Sequence, residues 1–119
     1  MAVRSYSVIK DNVNMKVIKW TGLLNGDTGQ PYEFAAKYPD KSVQAYGTFG
    51  ASPHCYIQGT NELVDGSPAH YQTLNDPQGN ALDLTAEKVE QILENTNLIR
   101  PSTAGDGTLS LTVLLCIGK

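Results

Sequence analysis

The chain has 119 residues, 40% of them hydrophobic and 18% charged, with a formal net charge of -3. That length is the usual size of one domain, so residues 1–119 are expected to share a single core, with residues 1–7 as an N-terminal arm. The scattered Lys and Arg make no basic stripe of the kind nucleic acid requires, and no apolar run approaches the about 20 residues that span a bilayer.

In chain order, the first element expected is a short strand at Tyr6–Lys10. Asn14 to Trp20 then alternates, setting Met15, Val17 and Lys19 against Lys16, Ile18 and Trp20. Asn25-Gly26-Asp27-Thr28-Gly29 reads as a turn, with glycines free to take positive φ and Asx side chains that bond nearby backbone. Ser42 to Phe49 alternates again, bounded by Pro39-Asp40 and Gly50. Shorter strands are expected at His54–Gln58 and His70–Leu74, with turns at Asp65-Gly66-Ser67-Pro68 and at Asp76–Asn80.

From Thr85 the pattern changes. Thr85 is a helix cap, Glu87 complements the helix dipole, and Val89, Ile92 and Leu93 fall on one helical face before Asn95–Asn97 ends it. Leu98–Arg100 is a strand, followed by a turn at Ala104–Gly107. The clearest alternation is Thr108 to Ile117, with Leu109, Leu111, Val113, Leu115 and Ile117 on one side and Ser110, Thr112, Leu114 and Cys116 on the other. Many short strands between strong turns define the expected class: all-β, an antiparallel β-sandwich or jelly roll with one short α-helix.

Local motifs for catalysis are absent. His54 adjoins Cys55, but neighbours on a strand point to opposite faces, and His70 has no carboxylate in register. Ser52, Ser67 and Ser102 stand in no nucleophile elbow. The two Cys and two His lack zinc-site spacing, and Asn25, Asp27 and Thr28 supply only part of a calcium ligand set. Asp27, Asp65, Asp76 and Asp106 are read as turn formers, and Cys55 and Cys116 as reduced, structural thiols. No enzyme activity, cofactor or metal is expected. Tyr and Trp on exposed strand faces serve as interface anchors, and Tyr46 and Tyr56 occupy the polar-side positions of their strands.

Several segments resemble a family. Trp20–Gly29, Lys41–Gly50, Ile57–Asn61 and the Ile99-Arg100-Pro101 to Gly107 stretch are similar to segments of small structural proteins of tailed bacteriophages, and the similarity runs from about Lys16 onward. The resemblance implies a jelly-roll-like head decoration, or cement, protein. Its expected partners are the major capsid protein of the head and neighbouring copies of itself, without nucleic acid or membrane. Its expected address is the virion surface after synthesis in host cytoplasm, since Met1–Ser7 lacks the apolar core of a secretory signal. Contact residues on this reading are Tyr6, Leu23, Leu24, Tyr46, Tyr56 and Arg100. A second likeness, carried by Ile57–Asn61, His70–Leu74 and Asp76, is to discoidin-like jelly rolls, in which a Trp usually stands where Tyr71 is here. It implies the alternative of a carbohydrate-binding module or receptor-binding appendage.

Overall fold

The structure is a computed structural model that describes residues 2–33, 35–62 and 70–119. Its strands are β1 (Val3–Arg4), β2 (Tyr6–Asp11), β3 (Met15–Leu24), β4 (Thr28–Gly29), β5 (Asp40–Thr48), β6 (His54–Thr60), β7 (Gln72–Thr73), β8 (Lys88–Gln91), β9 (Leu98–Ala104) and β10 (Ser110–Gly118). They form two five-stranded sheets, ordered β1-β4-β9-β6-β7 and β2-β3-β10-β5-β8. Every pairing is antiparallel except the parallel β1–β4 contact.

The alternation in β10 explains why it is central. Leu111, Val113, Leu115 and Ile117 are buried between the sheets, while Thr112, Leu114 and Cys116 on the other face are half-buried. Both edges of β10 are paired, with β3 on one side and β5 on the other. Opposite them, Ile18 and Trp20 of β3 and Val43 and Ala45 of β5 complete one wall of the core. Cys55 and Ile57 of β6 and Ile99 of β9 form the other wall. The Trp20 indole N–H donates to the Gln30 carbonyl at 3.0 Å, so the largest core side chain leaves no polar atom unpaired.

Turn acids act as the sequence implied. Asp76 Oδ1 accepts from the Gln78 and Asn80 amides at 3.0 and 2.9 Å, and Asp106 accepts from the Ala51 and Thr108 amides at 2.8 and 2.9 Å. Asp27 does more. Its buried carboxylate accepts from the Leu24 amide at 2.9 Å, the Ala2 amide at 3.0 Å and Arg4 Nε at 2.8 Å. Burial alone would raise its pKa, but these donors hold it below the ordinary aspartate value. The turn expected around Asp65 lies outside the described residues.

Two expectations are corrected. The helix from Thr85 does not form: Lys88–Gln91 is β8, paired with Ser42–Ala45 at the edge of the second sheet. Ile92 is buried there, but Val89 and Leu93 are 60% and 56% exposed, so the three residues share no face. A helix of about ten residues is marginal by itself, and the free edge of β5 offers this segment hydrogen bonds that such a helix must find alone. Among the described residues the helical structure is one 3-10 turn, Ala35–Lys37. Nor do residues 2–7 stand away as an arm. Val3 and Arg4 pair with Thr28 and Gly29 of the same chain, and the Asp27 carboxylate ties them down.

Candidate functional site

Because Cys55 and Ile57 point inward, His54, Tyr56 and Gln58 must point out of the first sheet, and all three are half-buried there. In β9, Arg100 and Ser102 share that outer face, opposite Gln58 and Tyr56 in register. The segment Leu82–Leu84 lies along the other edge of β6. Ile57 donates to the Leu82 carbonyl and Leu84 to the Cys55 carbonyl, each at 2.9 Å, which brings Asp83 opposite Tyr56.

Two linked groupings result. In the first, Asp83 Oδ2 lies 2.6 Å from His54 Nδ1, its Oδ1 accepts from the Cys55 amide at 3.2 Å, and the His54 ring stacks on Tyr56 with centroids 5.2 Å apart. A carboxylate on Nδ1 fixes the ring and leaves Nε2 to give or take a proton. In the second, Arg100 Nε donates to Gln58 Oε1 at 3.0 Å while its guanidinium lies 3.8 Å from the Tyr71 ring centroid. No carboxylate is within ion-pair distance of Arg100 among the described residues. Burial pushes the Tyr71 phenol up and the Arg100 guanidinium down from their ordinary values. The Tyr71 hydroxyl is buried and has no hydrogen-bond partner among the described residues. The face therefore presents stacked aromatics, guanidinium donors and an oriented imidazole, a set suited to polar groups carried on flat or ring-shaped surfaces.

The residues expected to make contacts fall in different places. Tyr56 and Arg100 come together on this face. Tyr46 lies on the outer face of the second sheet at 36% exposure, and Leu24 is exposed where β3 ends. Tyr6 is half-buried, edge-on to Trp20 and Tyr32 at 6.1 and 5.5 Å, and so belongs to the core margin. Leu23 is a correction. It is wholly buried in the core and offers nothing to a partner, because an extra residue at Thr21-Gly22 shifts the register of β3 against β10 and turns Leu23 inward opposite Leu111. The outer face of the second sheet also holds an open groove of about 510 Å³, lined by Met15, Asp40, Ser42, Val89, Gln91 and Cys116.

Sequence reasoning missed Asp83 and Glu62. Asp83 reaches His54 from 29 positions away, and Glu62 Oε1 sits 2.7 Å from Nδ1 of the exposed His70. Neither pair has a local motif: the bridge of Tyr56 with Asp83 sets the first, and the second joins positions eight apart, where the His70 amide also donates to Glu62 Oε1 at 2.9 Å. Cys55, by contrast, is wholly buried, and burial pushes its thiol up to about 12. Among the described residues no group of three His, Cys, Asp or Glu side chains converges on a metal position.

No protein-family model matches the chain, and no curated protein does. Solved structures do. A cupin domain from Bordetella pertussis Tohama I is 14% identical, with 96% of this chain and 92% of that one covered, at a TM-score of 0.50. KdgF from Halomonas sp. is 9% identical over 96% of this chain and 77% of that one, with a TM-score of 0.42. An RmlC-like cupin protein from Desulfovibrio desulfuricans is 12% identical over 95% and 79%, with a TM-score of 0.41. The fold is thus an all-β, cupin-like jelly roll. The expectation that the chain is no enzyme is corrected by this finding. It rested on missing local motifs, and the structure that shares the fold at a TM-score of 0.50 is a cupin domain, a fold found in enzymes as well as binding proteins. A fold hosts many functions, and chemistry assembled across strands leaves no contiguous signature.

Proposed function

We propose that this chain is a structural virion protein, a decoration or cement protein that binds the outer surface of a tailed-phage head and ties neighbouring capsomers together. One observation carries the reading. The space between the sheets is filled by core side chains such as Trp20, Ile18 and Leu115, and the aromatic and cationic groups, Tyr56, Tyr71 and Arg100, are presented on an outer sheet face. Aromatic and arginine anchors on a rigid sheet are what a protein interface uses. The phage-like segments support the same reading, because Trp20–Gly29 and Ile99–Gly107 build the strands and turns that set this face. The partners are then the major capsid protein and adjacent copies of the chain. Stabilisation would follow mass action, because a protein that binds only the assembled shell favours it.

The test is the copy number of the chain in purified particles, relative to the major shell protein, for the native sequence and for Tyr56→Ala and Arg100→Ala. Near-stoichiometric native protein and depleted variants are expected. Absence of the native protein from particles would remove the proposal. A second reading, a carbohydrate-binding module, is favoured by one feature, the Tyr71 ring beneath Arg100 with its own hydroxyl unpaired among the described residues. Glycan binding abolished by Tyr71→Ala in a particle-free preparation would establish it instead.

A further inference from the structure

We propose that Lys41 and Asn95 join through an intramolecular isopeptide bond. Lys41 sits at the start of β5 with its side chain turned into the protein and only 3% exposed. Its Nζ donates to the Tyr38 carbonyl at 2.7 Å and to Asn95 Oδ1. The amide is held from its other end, where Asn95 Nδ2 donates to the Ala36 carbonyl at 3.0 Å. The backbone around both is fixed as well. The Ile92 amide donates to the Lys41 carbonyl at 3.0 Å, and the Ala35 amide to the Asn97 carbonyl at 2.9 Å.

A buried ammonium normally has a carboxylate against it. Lys41 has none within ion-pair distance among the described residues. Its partners are two neutral oxygens, an arrangement that suits an uncharged amine. Burial pushes its pKa below the ordinary lysine value, outweighing the neighbouring Asp40, so the free amine is more populated than on an exposed lysine. A neutral amine is a nucleophile, and here the hydrogen bond to Oδ1 keeps it beside the amide of Asn95.

The step balances without a co-reactant. The Nζ lone pair attacks Asn95 Cγ, the Cγ–Nδ2 bond breaks, and a proton lost by the amine leaves on the departing nitrogen as ammonia. A secondary amide remains, closing a loop between positions 54 apart in the chain. Among the described residues no carboxylate is within ion-pair distance of the amine to carry the proton, so the bond is expected to accumulate during ageing of the folded protein, not within the folding step.

The test is the intact mass of the folded native protein, fresh and after weeks of incubation, followed by tryptic peptide mapping. Loss of one ammonia is expected, together with a branched peptide joining the segments that contain Lys41 and Asn95. Asn95→Ala and Lys41→Met should keep their full sequence masses and yield no branched peptide. Cyclisation at Asn25-Gly26 also releases ammonia but gives no branched peptide. An unchanged mass after ageing, or a loss mapped to Asn25, would overturn the proposal, and the native protein alone decides it.

Discussion

Gly29→Ala isolates one packing constraint. A Cβ at Gly29 would lie 2.5 Å from Pro101 Cδ, 2.7 Å from Pro101 Cγ and 2.7 Å from Trp20 Cδ1. Ordinary carbon contacts are roughly 3.5–4.0 Å, so the methyl group intrudes by about 1 Å on two rigid rings at once. Neither ring yields easily. Pro101 lies in β9 between β4 and β6, and Trp20 is 1% exposed and tied by its indole N–H to Gln30. Overpacking of this kind costs about 1–3 kcal/mol, and two rigid obstacles place it in the upper half of that range. Alanine recovers roughly 0.4–1 kcal/mol by restricting the unfolded chain, which leaves a net loss of about 2 kcal/mol. For a domain of this size that is a Tm lowered by about 8 °C. The assay is urea and thermal unfolding followed by the fluorescence of the single tryptophan, with Gly107→Ala as control because its Cβ would meet nothing within 4 Å. If Gly29→Ala is as stable as Gly107→Ala, the close approach of β4 to β9 is wrong.

Three further outcomes follow from the same structure. The folded pKa of Asp27 lies below its unfolded value, so its stabilisation is present above the unfolded value and is lost as pH falls through the folded one. Asp27→Asn should therefore lower the urea midpoint at neutral pH, at a cost of about 1–3 kcal/mol, yet lose less than the native protein on acidification; parallel acid limbs would refute the role given to this carboxylate. Leu115→Ala should cost roughly 2–5 kcal/mol and Leu93→Ser within about 0.5 kcal/mol, and a large loss from the second in chemical denaturation would restore the helical reading of that segment. With its thiol pushed up to about 12 in a wholly buried position, Cys55 should stay unlabelled by iodoacetamide in the native protein and react on unfolding, as peptide mass mapping would show.

The readable part of the fold was the part governed by period-two burial. In β10 the residues Leu111 to Ile117 alternate so regularly that inward and outward faces could be assigned directly, and Ile18 and Trp20 in β3 followed the same rule. The segment after Thr85 misled because Val89, Ile92 and Leu93 fit a helical spacing, while its actual partner, β5, lies more than 40 positions earlier and no local pattern announces it. Leu23 misled in the opposite way. Strict alternation from Ile18 and Trp20 places it outside, yet the bulge at Thr21-Gly22 reverses the parity and turns it inward. The face carrying Tyr56 and Arg100 was legible as separate positions but not as a unit, since the register of β6 with β9 and the bridge to Asp83 create it.

The place of β10 between β3 and β5 has a consequence for biogenesis. Until the ribosome has released residues 110–118, the longest strands of the second sheet have no shared neighbour, and each presents an open edge ready to pair with any extended chain nearby. Folding of this half must wait for the end of this stretch, and its long-range pairings make closure slow compared with a helical protein of equal length. A chain stalled or cut before Ser110 would be a sticky fragment and not a partly working protein, so cells making it in quantity should degrade or aggregate every truncated product while full-length chains accumulate.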